Sequence, residues 1–262
     1  MRSRTPDGLE WAPTPLRAYA LGMRLDLNCD LGEGEPAART RALMRWITSA
    51  NIACGGHAGT VRSMEACLRW AKAAGVRAGA HPGMAGGFGR DERPIDAEAL
   101  ELLLLHQVGA LMRIAADLGV RLHHIKLHGA LYHQVDRDPQ LARAYLDVVG
   151  RRFPGVRIYA RAGGGVVRQA RRAGVRVWEE AFADRGYRET GDLVPRGEPG
   201  AVLEGVRPMQ ERLAGLRDGR GVLADTGVWV PLTVQTVCVH SDTPDSVRLA
   251  RLAAGILGLA RR

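Results

Sequence analysis

Residues 24–34 read R-L-D-L-N-C-D-L-G-E-G, and this stretch decides the fold. Strand side chains alternate between faces, so Asp26, Asn28 and Asp30 fall on one side and Leu25, Leu27 and Cys29 on the other. One face is apolar and the other carries chemistry. Carboxylates and amides need partners once buried, so three of them in line mark a strand that serves a site as well as a core. Gly32 and Gly34 then end the strand in a loop.

Outward from this stretch, apolar runs and helical periodicities alternate. Six further strands are expected at 49–54, 76–80, 122–127, 156–160, 175–178 and 234–239. Helices are expected between them, with Thr60, Asp96 and Asp138-Pro139 as N-terminal caps, Thr243-Pro244 capping the last, and Gly75, Gly119, Gly150 and Gly174 as stops. Loops rich in Gly and Arg follow His81 and Asp184. Seven strands alternating with helices imply a parallel sheet with right-handed crossovers. Polar groups at many strand ends favour closure into a single-domain seven-stranded α/β barrel of the TIM-barrel type over an open doubly wound sheet.

The chain's 262 residues suit one such domain, expected over 23–262, with 1–22 as a flexible extension and Met23 as an alternative start. With 46% hydrophobic and 25% charged residues the chain can bury a large core. Aromatics make up only 5%, which leaves little for stacking on bases. The net charge of +9 is spread as arginines such as Arg151, Arg152, Arg168, Arg171 and Arg172 over helix faces, with no run that marks a nucleic-acid partner. Cys29, Cys54, Cys67 and Cys238 lack C-x-x-C spacing and read as buried thiols of a cytoplasmic protein. No apolar run of membrane-spanning length and no signal-peptide core occurs, so no membrane association is expected.

Ionisable residues collect at the strand ends, while the strand interiors read as apolar. Asp30 ends the first strand, His57 and His81 follow the second and third, and His124, Lys126 and His128 share a face of the fourth. Glu179, Glu180, Asp184 and Arg185 come after the sixth strand, and His240 and Asp242 after the last. In a barrel all of these face one mouth. Two chemistries fit. Asp26, Asp30, His57, His81 and His128 can hold a divalent metal that activates water. Alternatively, Lys126, Arg90 and Arg185 hold phosphate while an Asp or His moves protons. No G-x-x-x-x-G-K-[ST] loop occurs, and the run 163–165 before a helix is a weak anion-site signal.

The motifs D-L-N-C-D-L-G-E-G, N-I-A-C-G-G-H-A-G, G-A-H-P, F-G-R, H-G-A-L-Y, F-A-D-R-G-Y, L-V-P-R and V-C-V-H-S-D-T-P resemble, in order, those of the LamB/YcsF family. The resemblance covers about residues 23–260. It implies a seven-stranded barrel related to glycoside hydrolase and deacetylase barrels. It also implies the A subunit of an ATP-dependent 5-oxoprolinase, which opens 5-oxo-L-proline to L-glutamate with ATP, Mg²⁺ and partner subunits B and C. Under this resemblance Asp26, Asp30, His57, His81, Lys126 and His128 are the expected catalytic residues. Asn28, Asn51, Arg90, Glu180, Asp184, Arg185 and His240 are expected to bind substrate or phosphate, and whether a metal is bound is left open. The chain departs from the family pattern at Leu127, at the G-M-A-G-G loop 83–87 and at Ser241, and all the charged groups survive. The alternatives are a metal-dependent deacetylase or amidohydrolase on the same barrel, and a non-catalytic subunit that binds substrate.

Overall fold

The computed structural model describes residues 24–86, 89–243 and 245–259. The extension expected at 1–22, position 87 of the G-M-A-G-G loop, position 88 of the F-G-R motif, and position 244 of the last cap lie outside them. Seven parallel strands close into a barrel. They are β1 (Asp26–Leu31), β2 (Ser49–Ala53), β3 (Arg77–His81), β4 (His124–Lys126), β5 (Arg157–Arg161), β6 (Val177–Phe182) and β9 (Thr236–Val239). The last strand pairs with both β6 and β1, through Glu180 with Thr236 and Asp26 with Thr236. A two-stranded antiparallel ribbon, β7 (Val222–Leu223) with β8 (Trp229–Val230), lies outside the barrel and is absent from the sequence expectation.

The helices are α1 (Ala37–Leu43), α2 (Val61–Ala74), α3 (Ala97–Asp117), α4 (Gly129–Arg137), α5 (Pro139–Arg152), α6 (Gly165–Ala173), α7 (Val206–Arg217) and α8 (Ser246–Ile256). Their local signals hold in several places. Thr60 and Ser63 form a reciprocal capping box on α2, and Gly75 closes it in the left-handed region at φ 61°. Asp96 caps α3, whose Leu100, Leu104, Val108, Leu111 and Ala115 form a fully buried stripe. Each buried leucine of that stripe contributes about 1.5–3 kcal/mol. Asp138 accepts from the backbone N–H of Gln140 at 2.7 Å and of Leu141 at 3.3 Å, with Pro139 at the first helical position. Asp138→Ala should therefore lower stability by about 1 kcal/mol, measured by urea denaturation, and Asp138→Asn should restore most of it.

Three expectations change. α5 runs through Gly150 to Arg152, because the Val148 and Val149 face stays buried on the barrel. β6 extends to Phe182, so Glu179 and Glu180 lie within the strand and not after it. The largest change concerns the lumen. Leu27, Cys29, Leu31, Ile52, Ile125, Ile158 and Val237 point outward into the helix layer and form the apolar core. The inward positions are polar: Asp26, Asn28, Ser49, Asn51, His124, Lys126, Glu180 and Thr236 are all buried. A seven-stranded barrel is too narrow for water-filled space and here fills with side chains that satisfy one another.

One position shows how tight that filling is. Gly79 pairs with His124 across β3 and β4, and a Cβ at residue 79 would stand 2.2 Å from His124 Nε2. The His124 ring in turn stacks on Tyr159, centroids 3.9 Å apart and 5° from parallel.

Candidate active site

All barrel strands run the same way, so β1 carries Asp26 at one end and Asp30 at the other, about 13 Å apart at the usual strand rise. Asp26 belongs to the closed N-terminal end. Its Oδ1 accepts from Thr48, from Ser49 Oγ at 2.7 Å and from Arg77 Nη2 at 2.7 Å; its Oδ2 accepts from Thr236 Oγ1 at 2.6 Å and Tyr159 OH at 3.1 Å. With both oxygens so engaged, Asp26 ties β1 to β2, β3, β5 and β9 far from the mouth, apart from the other expected catalytic residues.

Above it, Asn28 and Asn51 link the two ends. Asn51 Nδ2 donates to Asn28 Oδ1 and to Asp30 Oδ1, each at 2.7 Å, and its Oδ1 accepts from His124 Nε2 at 2.6 Å. Asn28 Nδ2 donates to Glu180 Oε1 at 2.9 Å and Thr236 Oγ1 at 2.7 Å. Both asparagines thus position charged groups and lie below the cavity.

Lys126 is the centre of the mouth. Its Nζ lies 2.9 Å from Asp30 Oδ1, 3.1 Å from Glu180 Oε1 and 3.1 Å from Cys238 Sγ. Burial pulls the ammonium down, but Asp30, Cys238 and Glu180 outweigh it and hold it well above the ordinary lysine value. Burial likewise raises Asp30, and the charges of His81 and Lys126 reverse this and hold its carboxyl well below the usual range. The floor of the mouth is therefore an ion pair with a second carboxylate, Glu180, whose Oε2 accepts from Tyr132 OH at 3.0 Å.

Beside this pair His57, His81 and His128 gather around Glu33, a residue inside the opening G-E-G but not among the expected site residues. Glu33 Oε1 lies 2.8 Å from His57 Nε2, 3.3 Å from His128 Nδ1 and 3.6 Å from His81 Nε2. Burial raises the Glu33 carboxyl, and hydrogen bonds from His128 and His57 bring it well below its usual value. Burial lowers His81, but Asp30 and Glu33 raise it overall, so positive charge at its Nε2 is favoured. On the other wall His240 Nδ1 is 2.7 Å from Asp184 Oδ2, with Asp184 held low and His240 held high by their pairing against the cost of burial.

These groups open into a cavity of about 460 Å³, within the range of about 300–1,000 Å³ usual for small-molecule sites. Its outer wall carries Arg90, Arg137, Arg161, Arg185 and Arg196. Arg90 is half exposed and pairs with Asp242 at 3.1 Å. Arg185 is buried and spends its Nε and Nη2 on the carbonyls of Ala201 and Val194, so it shapes the loop as well as the field. The start of α6 is already filled: Asp136 Oδ1 accepts from Val166 N at 3.1 Å, and no space remains there for an outside anion. Tyr132, His133 and Asp136 reach the cavity from α4, a helix that the sequence pattern does not announce. All four cysteines are buried and unpaired.

His133 gives the wall a pH signature. Burial, with repulsion from Arg185, Arg137 and Arg161, pushes it down to about 4. The unfolded chain takes up this proton near pH 6.5, so the contribution of His133 to stability falls as pH drops from about 6.5 to about 4. His57 and His123, both lowered to about 4 chiefly by burial, act in the same direction. His81 and His240, both held high, act in the opposite direction. Urea denaturation between pH 7 and 4.5 should therefore show His133→Gln losing less stability with acid than the wild type, and an imidazole NMR titration should find His133 neutral at pH 5.

Fold and site together define a closed parallel barrel whose mouth gathers ionisable side chains around a cavity of small-molecule size. The chain belongs to the LamB/YcsF family, whose model matches residues 25–257. It is similar to the crystal structure of the lactam utilization protein from Thermus thermophilus, with 36% identity and a TM-score of 0.83 over 91% of this chain and 97% of that one. An uncharacterized protein, ATU2773 from Agrobacterium tumefaciens C58, shares the fold at 11% identity and a TM-score of 0.52, over 88% of this chain and 82% of that one.

Proposed function

We propose that this chain is the A subunit of an ATP-dependent 5-oxoprolinase, which opens 5-oxo-L-proline to L-glutamate while ATP and water yield ADP and phosphate. The observation that carries this reading is the likeness, over nearly the whole of both chains, to a protein named for lactam utilization. The mouth supports it chemically. A five-membered lactam is a poor electrophile, and ATP supplies a phosphoryl group that makes its amide carbon open to water.

Lys126, charged and aimed into the cavity, receives the lactam oxygen and the negative charge that builds on it. Asp30 holds the ammonium in place and, ionised, accepts the proton of the attacking water. The protonated His240, paired with Asp184, donates a proton to the departing ring nitrogen. The arginine wall suits the substrate carboxylate and phosphate oxygens, with Arg90 and Arg161 at its rim. No G-x-x-x-x-G-K-[ST] loop is present in the sequence, and the reading leaves open which subunit binds ATP and Mg²⁺.

Co-purification with candidate B and C subunits, followed by glutamate release from 5-oxo-L-proline with and without ATP and Mg²⁺, tests the reading. Release is expected only with all three subunits and ATP. No release under any condition overturns it, as does release by this chain alone without ATP.

A further inference from the structure

We propose that Glu33, His81 and His128 form a site for a divalent first-row transition metal of the zinc class at the edge of the mouth, with His57 orienting Glu33. This stands apart from the lactam reading, because it is read as metal binding and either can fail alone. The donors come from three strand ends: Glu33 from the loop after β1, His81 from the end of β3, and His128 from the start of α4, after β4.

Their spacing is that of a coordination sphere. Glu33 Oε1 is 3.3 Å from His128 Nδ1 and 3.6 Å from His81 Nε2, and those two nitrogens are 3.0 Å apart. Donors bound to tetrahedral zinc at about 2.0–2.1 Å stand about 3.3 Å from one another. All three residues line the cavity, so the triangle has an open side. Two imidazoles, one carboxylate and an open position make a catalytic type of zinc site rather than a structural one.

Hydrogen placement points the same way. His81 Nδ1 lies 2.8 Å from the Lys126 carbonyl, which only accepts, so Nδ1 carries hydrogen and Nε2 is the atom left to bind a cation. A backbone carbonyl behind a ligand histidine is the usual arrangement. His57 differs: its side chain is 1% exposed, its Nδ1 has no hydrogen-bond partner among the described residues, and it does not line the cavity. A hydrogen on that Nδ1 would be buried and unsatisfied, so it resides on Nε2 and is donated to Glu33. His57 thereby fixes the carboxylate instead of binding the ion. Its ring also stacks on His128, centroids 3.5 Å apart and 4° from parallel. Chain pressed against the two rings is glycine: a Cβ at Gly83 would stand 2.6 Å from His57 Nδ1, and one at Gly89 2.8 Å from His128 Cδ2.

A second group of donors, Asp30, Cys238 and His240, also converges. The Lys126 ammonium already lies 2.9 Å from Asp30 Oδ1 and 3.1 Å from Cys238 Sγ, and it repels a cation there.

The test uses the full chain, stripped with a chelator, dialysed and titrated with Co²⁺ and Zn²⁺ under visible absorption and calorimetry. One equivalent of Co²⁺ per chain is expected, with a tetrahedral or five-coordinate spectrum that lacks a thiolate charge-transfer band and is bleached by Zn²⁺. Glu33→Gln and His128→Gln should each lower affinity more than about 100-fold with an unchanged circular dichroism spectrum, and His57→Phe about 10- to 100-fold. Glu33, on a partly exposed loop, carries the test if His128→Gln fails to fold. No stoichiometric uptake by the folded wild type overturns the proposal. So does unchanged affinity in Glu33→Gln, or a thiolate band that disappears in Cys238→Ala, which would put the ion in the other cluster.

Discussion

Under the proposed function, Lys126→Met should abolish lactam opening by the complex with subunits B and C, by about 10²- to 10³-fold or more, and should also weaken the fold. The activity loss follows because Lys126 supplies the ammonium on the mouth's floor, and one well-placed donor to a developing oxyanion has an effect of that size. The stability loss has a separate cause. Methionine fills the space, but Asp30 and Glu180 are left as buried carboxylates without their shared cation, which costs about 3–5 kcal/mol. Adding Glu180→Gln removes one of the stranded charges and should recover part of the stability without recovering turnover. Glutamate release and chemical denaturation of the single and double variants measure the two effects separately. Wild-type turnover in Lys126→Met would remove Lys126 from the reaction.

Arg212→Met should cost about 1–3 kcal/mol, a fall in melting temperature of about 5 °C. Arg212 is a buried cation on α7 with no carboxylate in salt-bridge reach among the described residues. Its Nη1 donates to the carbonyl of Arg185 at 2.7 Å and its Nη2 to that of Leu223 at 3.0 Å, while its guanidinium packs over Tyr187 at 4.6 Å. These bonds hold the turn after β6, which carries Asp184 and Arg185, against the outer ribbon. Methionine keeps the packing stem and leaves the carbonyls unpaired. Differential scanning calorimetry checks the shift, and a loss under about 1 °C would show that the clamp is dispensable.

The two-residue rhythm of β1 was legible because strand alternation depends on nothing beyond the strand itself, and the caps at Thr60, Asp96 and Asp138 were legible for the same reason. Depth along the strand was not. Asp26 and Asp30 share a face, yet one is locked beneath the lumen and the other opens on the cavity, a difference set by where neighbouring strands begin. The polar lumen was hidden because its inward residues find partners only across the closed barrel, as when Asn28 meets Thr236, 208 positions later. Glu33 was in plain view but looked like part of a glycine turn. α4 was missed because it is short and abuts α5 directly. Asp136, from that same helix, occupies the start of α6, so a glycine run that resembled an anion cradle is already answered from within.

Gly79 has a meaning beyond the room it leaves for His124. β3 offers only small residues on both sides of it, Ala78 and Ala80, so hydrophobic pattern alone does little to tell one alignment of β3 and β4 from the next. A slip by one residue would bring a methyl group where the ring now lies and turn every side chain of the strand to the wrong face. The missing side chain at residue 79 thus acts as a notch that accepts one alignment. The relative height of His81 and Lys126 in the mouth is fixed at a place where no atom was added.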